Sequence, residues 1–208
     1  DSGFILDGLP LAGRFYVYKQ SAVWTFRFVG GQNIFSSDTL LDTVGLLATR
    51  CVCLAPGGKK HVFASQDDIL QHDGTNAASM LDKKFRRYLF NQIDTQFYTN
   101  SFMFANQLYN EVFFCYPQHG SQFPDRYLLI KMDGKIFEGD CSWQAVGSGI
   151  VETSDTETWA TASSDWDSDI DPWSTSNRRK NVLVAPTATK FFLQDSGVLR
   201  DTVAFLAT

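Results

Sequence analysis

Four stretches of the chain alternate apolar and polar residues on both sides of a polar turn. They span residues 14–31, 60–75, 110–140 and 181–197. In the first stretch, Trp24, Phe26 and Phe28 alternate with Thr and Arg after the turn. A period of two indicates β-strands, and Asp-Gly or Gly-Gly beside such runs indicates hairpins. The pattern therefore predicts four antiparallel hairpin units.

Corresponding positions of these units recur at intervals of 45, 50 and 70 residues, and they are Tyr16, His61, Glu111 and Asn181. Because about 40–50 residues make four short strands, this period is typical of β-propeller blades. A sandwich of similar hairpins is the alternative. We predict a single all-β, propeller-like region over residues 1–208. The opening residues read as mid-chain sequence, so we expect a fragment of a longer propeller subunit.

One segment departs from the period of two. Residues 76–94 place apolar side chains from Leu81 to Leu89 at helical spacing, which predicts one inserted amphipathic helix. Asn76 or Ser79 is the expected N-cap. Much of the remaining helix surface is cationic, through Lys83, Lys84, Arg86 and Arg87. These cations form either a solvated face or a docking surface for an acidic neighbour or DNA phosphates.

A Trp/Asp/Ser-rich stretch over residues 152–178 interrupts the last hairpin interval. Its tryptophans, Trp159, Trp166 and Trp173, lie seven residues apart. Ser, Thr and Asp favour turns, and Pro172 would interrupt a helix, so we predict an irregular loop. Three exposed indole rings would leave a large apolar patch in water. We therefore expect them to be covered by blade edges or by an adjacent subunit.

Composition narrows the functional class. Aromatic residues make up 14% of the chain, which favours pleated, half-buried surfaces. The net charge of −5 argues against a protein that mainly grips nucleic acid, because such affinity comes from Lys and Arg on phosphates. No apolar run approaches the length needed to span a bilayer.

The cysteines form no CxxC pair. We interpret Cys51, Cys53, Cys115 and Cys141 as small apolar residues in a reducing compartment. A zinc site built from Cys51, Cys53 and His61 is an alternative, although this spacing matches no common zinc pattern.

The alternating acids from Asp165 to Asp171 are the best candidate for binding a cation. Their spacing resembles a calcium loop, but Ile170 stands where an EF-hand needs Gly. No nucleophile elbow, phosphate-binding loop or dinucleotide fingerprint is present. We predict no catalytic, cofactor-binding or metal-binding residues, and no enzymatic activity.

Several segments occur in a recognisable order. They are "DGLPLAGRFYVYKQSAVWTFRFVGG", "KHVFASQDDILQHDG", "RRYLFNQID" and "NSFMFANQLYNEVFFCYP". In this order they resemble the tail hub or nozzle proteins of short-tailed bacteriophages, a packaged-DNA stabilisation-like family in which a Trp/Asp/Ser-rich insertion follows. The resemblance runs from about Asp7 to Leu193 and is weaker after Asp140. The residues that carry it are structural, so no active site comes with it.

The resemblance implies a structural virion protein located in the phage tail and assembled in the bacterial host cytoplasm. Such a hub or nozzle forms a homo-oligomeric ring, usually hexameric, below the portal and adaptor. It continues the DNA channel, helps retain and eject the genome, and carries tail fibres or spikes. Double-stranded DNA passes through without specific binding, and no membrane segment is expected. At 208 residues, with about four blade-like units, the chain is short for a complete six-bladed subunit.

Two other functions are compatible with the sequence. A carbohydrate-binding or glycan-hydrolysing propeller, as in a receptor-binding tail protein, would stack sugars on exposed aromatic rings and take acids from Asp165 and Asp167. A calcium-stabilised adhesion module would use the same acidic run. Hub, nozzle and fibre-attachment roles are not distinguished by the sequence.

Overall fold

The computed structural model describes residues 3–31, 34–150, 180–187 and 190–193. These residues form four antiparallel sheets, and the strands of each sheet follow one another in chain order. Sheet I contains β1 (Ile5–Leu11), β2 (Arg14–Lys19), β3 (Val23–Phe28) and β4 (Phe35–Leu41). Sheet II contains β5 (Val52–Leu54), β6 (His61–Ala64), β7 (Ile69–His72) and β8 (Ala77–Ser79). Sheet III contains β9 (Phe102–Asn106), β10 (Glu111–Tyr116), β11 (Arg126–Lys131) and β12 (Ile136–Asp140). Sheet IV contains β13 (Ala145–Ile150), β14 (Lys180–Thr187) and β15 (Lys190–Leu193).

The four predicted hairpins are all present. Strand β2 pairs with β3, β6 with β7, β10 with β11, and β14 with β15. The four positions that recur along the sequence each lie on the second strand of a sheet, at Tyr16, His61, Glu111 and Asn181. The mostly β composition is therefore confirmed for the described residues, and the repeat corresponds to the same place in successive sheets.

The turn between β11 and β12 shows how local sequence sets the hairpin geometry. Gly134 has φ +93°, a left-handed conformation that side chains with a Cβ rarely adopt. The Asp133 carboxylate accepts a hydrogen bond from the Lys135 backbone N–H at 3.1 Å. An Asp-Gly pair thus reverses the chain within a few residues, as the sequence predicts.

The inserted helix is shorter than predicted. Helix α1 spans Lys83–Gln92, and Asp82 caps it by accepting a hydrogen bond from the Phe85 backbone N–H at 2.7 Å. The predicted caps, Asn76 and Ser79, are wrong, because residues 77–79 form the edge strand β8 and pair with β7. Cross-strand pairing with β7 outweighs the helix propensity of Ala77 and Ala78, because tertiary context routinely overrides intrinsic propensity.

Sheets I, II and III share one apolar core. Tyr16 and Tyr18 of sheet I face Phe63 and the two buried histidines of sheet II. Val112 and Phe114 of sheet III join the same core from the other side. The first strands follow this stacking, since β5 contacts both β1 and β9. The sheets therefore stack in chain order.

A second apolar cluster joins sheet III to sheet IV. Phe113 and Tyr127 lie on the face of sheet III that turns away from the first core. Trp143, in the connection to β13, stacks on Tyr127 with ring centroids 5.5 Å apart and contacts Phe113 at 5.9 Å. Val146 of β13 packs against the same cluster. Sheet III is consequently covered on both faces.

Within the part of the chain that the structure describes, no helix has both the length and the apolar character required to cross a lipid bilayer. The predicted Trp/Asp/Ser-rich loop at residues 152–178 lies outside the described residues. The same is true of its three tryptophans and of the acidic run from Asp165 to Asp171, so their predicted roles stay predictions.

Candidate functional site where the first strands converge

A cavity of about 250 Å³ lies where the first strands of all four sheets meet. We call it the first-strand cavity. It is lined by Asp7 of β1, Val52 of β5, Phe102, Met103 and Phe104 of β9, and Val146 of β13, together with Arg50 from the connection before β5. Residues far apart in sequence thus reach one place because each sheet begins there.

Arg50 ties three sheets together at this cavity. Its backbone N–H donates a hydrogen bond to the Asp7 carboxylate at 3.0 Å, and its carbonyl accepts one from the Met103 N–H at 2.7 Å. Its φ of +68° is uncommon for a residue with a side chain. These two bonds hold the backbone in that conformation and place the guanidinium carbon 6.0 Å from the centre of the Phe102 ring.

The first-strand cavity is lined mainly by apolar side chains. Its seven residues include one carboxylate, Asp7, and one cation, Arg50; the other five are apolar. General acid–base catalysis needs a positioned proton donor or acceptor, and glycoside hydrolysis needs two carboxyl groups. The described residues of the cavity do not supply such a pair.

A buried polar network connects sheets I and II beside this cavity. The Tyr18 hydroxyl lies 2.8 Å from His61 Nδ1 and 2.5 Å from His72 Nε2. His61 and His72 are directly opposite each other on β6 and β7. Each of the three side chains is almost fully buried. The sequence-based predictions did not include this network.

The hydrogen bonds that His61 and His72 make with the backbone determine which of their ring nitrogens carry protons. The Gly74 backbone N–H donates to His72 Nδ1, so the His72 proton lies on Nε2 and is donated to Tyr18. His61 Nε2 faces the Pro10 carbonyl at 3.2 Å, which accepts only, so His61 Nδ1 accepts the Tyr18 proton. The result is a one-directional chain in which both histidines are neutral.

Burial shapes the acid–base behaviour of this chain of hydrogen bonds. Desolvation lowers the pKa of His72 to about 4, with a further contribution from His61. Desolvation also lowers the pKa of His61 and raises the pKa of the Tyr18 hydroxyl far above its ordinary value. All three groups are therefore uncharged at neutral pH, so the network can join sheets I and II without burying a charge.

The zinc alternative is not supported by the positions of its residues. Both nitrogens of His61 are engaged by Tyr18 and Pro10, as described above. Cys51 donates its thiol to the Ser101 carbonyl, and burial raises the pKa of the Cys51 thiol to about 12. Among the described residues, no group of three or more His, Cys, Asp or Glu side chains is arranged to hold a metal ion.

The cysteines behave mainly as buried apolar residues. Cys51, Cys53 and Cys115 are buried, and Cys141 is half-buried. Burial raises the pKa of Cys115 above its ordinary value, whereas a hydrogen bond from Cys115 lowers the pKa of Cys141. The interpretation as small core residues fits the three buried thiols, and Cys141 stands at the border of the second apolar cluster.

The cations of α1 separate into two groups. Arg86 donates to the Asp68 carboxylate at 2.8 Å, and this buried carboxylate also accepts hydrogen bonds from Ser79 and from the Ile69 N–H. Arg86 therefore anchors the helix to sheet II. On α1, the exposed cations without an ion-pair partner among the described residues are Lys83, Lys84 and Arg87.

Neither the protein-family models nor the curated proteins compared with this chain contain a match. A functional assignment must therefore stand on the stacked sheets, the first-strand cavity and the ordered segments in the sequence.

Proposed function

We propose that the chain is part of a propeller-bearing subunit in the tail hub or nozzle of a short-tailed bacteriophage. In this role it is a structural virion protein without enzymatic activity. The observation that carries the proposal is the convergence of the first strands of four successive sheets on one cavity.

This arrangement supports a propeller over a sandwich. Propeller blades are antiparallel sheets of four strands placed in sequence around a central channel. Sheets I to III each have four strands in chain order, and three strands of sheet IV are described. A two-layer sandwich would instead pack two sheets across one core. Here sheets II and III are each covered on both faces, as an arc of blades requires.

The charge of the chain supports a passive conduit. Tight DNA binding needs several Lys or Arg side chains on phosphates. The chain carries a net charge of −5, and the first-strand cavity has one cation opposed by one carboxylate. An acidic wall would repel phosphate at short range and leave a duplex free to slide during ejection.

The proposed partners follow from this role. They are further copies of the chain in a homo-oligomeric, hexameric ring, the portal and adaptor above it, and tail fibres or spikes around it. The proposed location is the virion tail, assembled in the cytoplasm of the bacterial host. The exposed cations of α1 offer a surface for an acidic neighbour in that assembly.

The glycan-binding alternative has weaker support. Its proposed acids, Asp165 and Asp167, lie outside the described residues, and Asp7 is the single carboxylate lining the first-strand cavity. Glycan binding, or turnover of a glycoside that is lost in the Asp165→Asn/Asp167→Asn variant, would favour this alternative over the structural role.

Electron microscopy of the chain mixed with portal and adaptor proteins from its own genome tests the proposal. We expect rings that join the portal–adaptor complex, with the chain arranged around the axial channel. An electrophoretic mobility assay at physiological salt is the companion measurement, and we expect no stable complex with duplex DNA. Failure to join the complex, or tight DNA binding, would contradict the conduit role.

A further inference from the structure

A second pocket, of about 290 Å³, lies where α1 ends beside sheet II. We call it the helix-end pocket, and it shares no residue with the first-strand cavity. Ligand pockets in proteins usually enclose about 300–1,000 Å³, so this one suits a single amino-acid side chain better than a cofactor. Its lining comes from the end of α1, the residues that follow it, the β4–β5 connection and the β6–β7 turn. The lining residues are Leu47, Gln66, Phe90, Ile93, Asp94, Thr95 and Tyr98.

Asp94 gives the helix-end pocket its charge. It is the one charged side chain among the seven lining residues, and it forms no ion pair with a described residue. The backbone N–H groups of Gln96, Phe97 and Gly120 donate to its carboxylate at 2.7, 2.9 and 3.0 Å. These hydrogen bonds, led by the one from Gly120, lower the pKa of Asp94, so the carboxylate is ionised at neutral pH. Because a carboxylate accepts about four hydrogen bonds, one position is left for a ligand.

The end of α1 adds negative potential to the same pocket. The last carbonyl groups of a helix carry a partial negative charge, which favours cations near that end. Helix α1 ends at Gln92, and its last turn contains no basic residue. His119 hydrogen-bonds to the Asn91 carbonyl at 2.9 Å, but it does not line the pocket. The pocket therefore favours a positive ligand and repels an anion such as phosphate.

The aromatic and aliphatic walls determine which cation fits. Phe90 and Tyr98 line the pocket and are both half-buried. Aromatic rings attract cations, and a guanidinium is planar and weakly hydrated, so it can stack on a ring while its N–H groups donate to a carboxylate such as Asp94. Leu47 and Ile93 add apolar surface, which suits the methylene chain of an arginine.

We propose that the helix-end pocket binds the guanidinium group of an arginine side chain presented by a neighbouring protein chain. The Asp94 carboxylate accepts hydrogen bonds from the guanidinium, Phe90 and Tyr98 pack against it, and the last turn of α1 stabilises its charge. The placement of that neighbour in the tail assembly rests on the proposed function, whereas the chemistry of the pocket does not.

A two-dimensional ¹H–¹⁵N NMR titration with Nα-acetyl-arginine methylamide tests the pocket. We expect the amide signals of Gln96, Phe97 and Gly120, which surround the Asp94 carboxylate, to shift and saturate. The dissociation constant should lie in the millimolar range, because one side chain makes few contacts. The neutral analogue Nα-acetyl-citrulline methylamide has nearly the same shape without the charge, and it should bind at least tenfold more weakly.

Three variants locate the binding. Asp94→Asn removes the charge and should weaken arginine binding at least tenfold. Tyr98→Leu keeps the carboxylate but removes a ring, and it should weaken binding about threefold. The matched control is Asp38→Asn, which removes an exposed carboxylate from sheet I and should leave the dissociation constant unchanged. Circular dichroism verifies folding, and Tyr98→Leu provides the test if Asp94→Asn does not fold.

Several outcomes would overturn the inference. Equal binding of the arginine and citrulline compounds would exclude recognition of charge, and binding that neither pocket variant weakens would place the ligand elsewhere. Saturable binding of D-glucose without binding of the arginine compound would make the pocket a sugar site. If the titration fails and the chain still joins the portal–adaptor complex, the proposed function survives and the pocket fails alone. If the titration succeeds and no rings form, the pocket stands and the proposed function fails.

Discussion

Sheets I and III have the same strand order but different surroundings. In sheet III, every residue of the second strand, β10, is buried, because Val112 and Phe114 face one core while Phe113 and Cys115 face another. In sheet I the second strand alternates, with Tyr16 buried and Phe15 exposed on opposite faces. Sheet III thus lies within a stack of sheets, and sheet I ends the described part of that stack.

The difference shows that the pattern of apolar residues in a strand depends on whether one or both of its faces are covered. A strand covered on both faces reads as a continuous apolar run, as in the residues "EVFFCY" of β10. A strand covered on one face alternates between apolar and polar residues. The face of sheet I that turns away from the shared core breaks this second rule, because Phe15, Phe28 and Phe35 take positions where polar residues are expected.

The largest expected effect comes from removing rings within sheet III. Phe114→Ala and Phe113→Ala should each lower the free energy of unfolding by about 3–5 kcal/mol, because each leaves a cavity in a different packed core. Urea unfolding followed by circular dichroism gives both values. If Phe113→Ala proves nearly neutral, the face of sheet III toward sheet IV is open and the comparison with sheet I fails.

The stability of the contact between sheets I and II should depend on pH. His72 has a folded pKa of about 4, below its ordinary value, so the unfolded chain binds more protons between about pH 4 and 6.5. Stability should therefore fall by roughly 2–3 kcal/mol as the pH decreases through that window. Urea midpoints at several pH values measure it.

A matched pair of histidine variants identifies the source of this pH dependence. His119→Gln replaces an exposed histidine and should keep the acid sensitivity. His72→Gln should be less stable at pH 7 but should lose much less stability on acidification. Equal slopes for these two variants would show that the buried network does not cause the pH dependence.

Removing one hydroxyl from the network should have a somewhat smaller effect. Tyr18→Phe leaves His61 Nδ1 and the His72 Nε2–H without their shared partner, which should cost about 1–3 kcal/mol. The ring packing against Phe63 is retained. Thermal unfolding at pH 7 measures the loss, and a stability equal to wild type would mean that the hydroxyl contributes nothing to joining sheets I and II.

The smallest expected effect is on the face of sheet I that turns away from the shared core. Phe28→Ala should change monomer stability by less than about 0.5 kcal/mol, because most of the ring is already exposed. Measured at low concentration, this result would complete the contrast with Phe114→Ala. A loss of several kcal/mol in the monomer would mean that the ring is covered within one chain.

The sequence revealed the middle strands of the sheets more readily than their edges. Alternation around clear turns predicts the hairpins built on residues 14–31 and 60–75, because both strands and the turn are local features. Strands β5 and β8 have three residues each. Three residues are too few to show a period of two, so these strands are defined only by pairing with a neighbouring strand. Because β8 (Ala77–Ser79) could not be recognised from the sequence, its residues are predicted as the start of the helix, which begins at Lys83.

The first-strand cavity and the Tyr18 network depend on contacts distant in sequence. Tyr18 lies 43 residues from His61 and 54 from His72, and no local pattern connects them. One signal was present, because the hairpin over residues 60–75 places His61 opposite His72 in register. Two histidines facing each other on a strand pair indicate a polar contact, although not its partner on another sheet.

Cryo-electron microscopy of the assembled protein tests the central claim most directly, because it shows the order of the sheets and the position of the first strands together. We predict copies arranged around an axial channel, with sheets I to IV of each copy stacked in chain order around the first-strand cavity. A map with two sheets packed across a single core, or with an isolated monomer, would contradict this account.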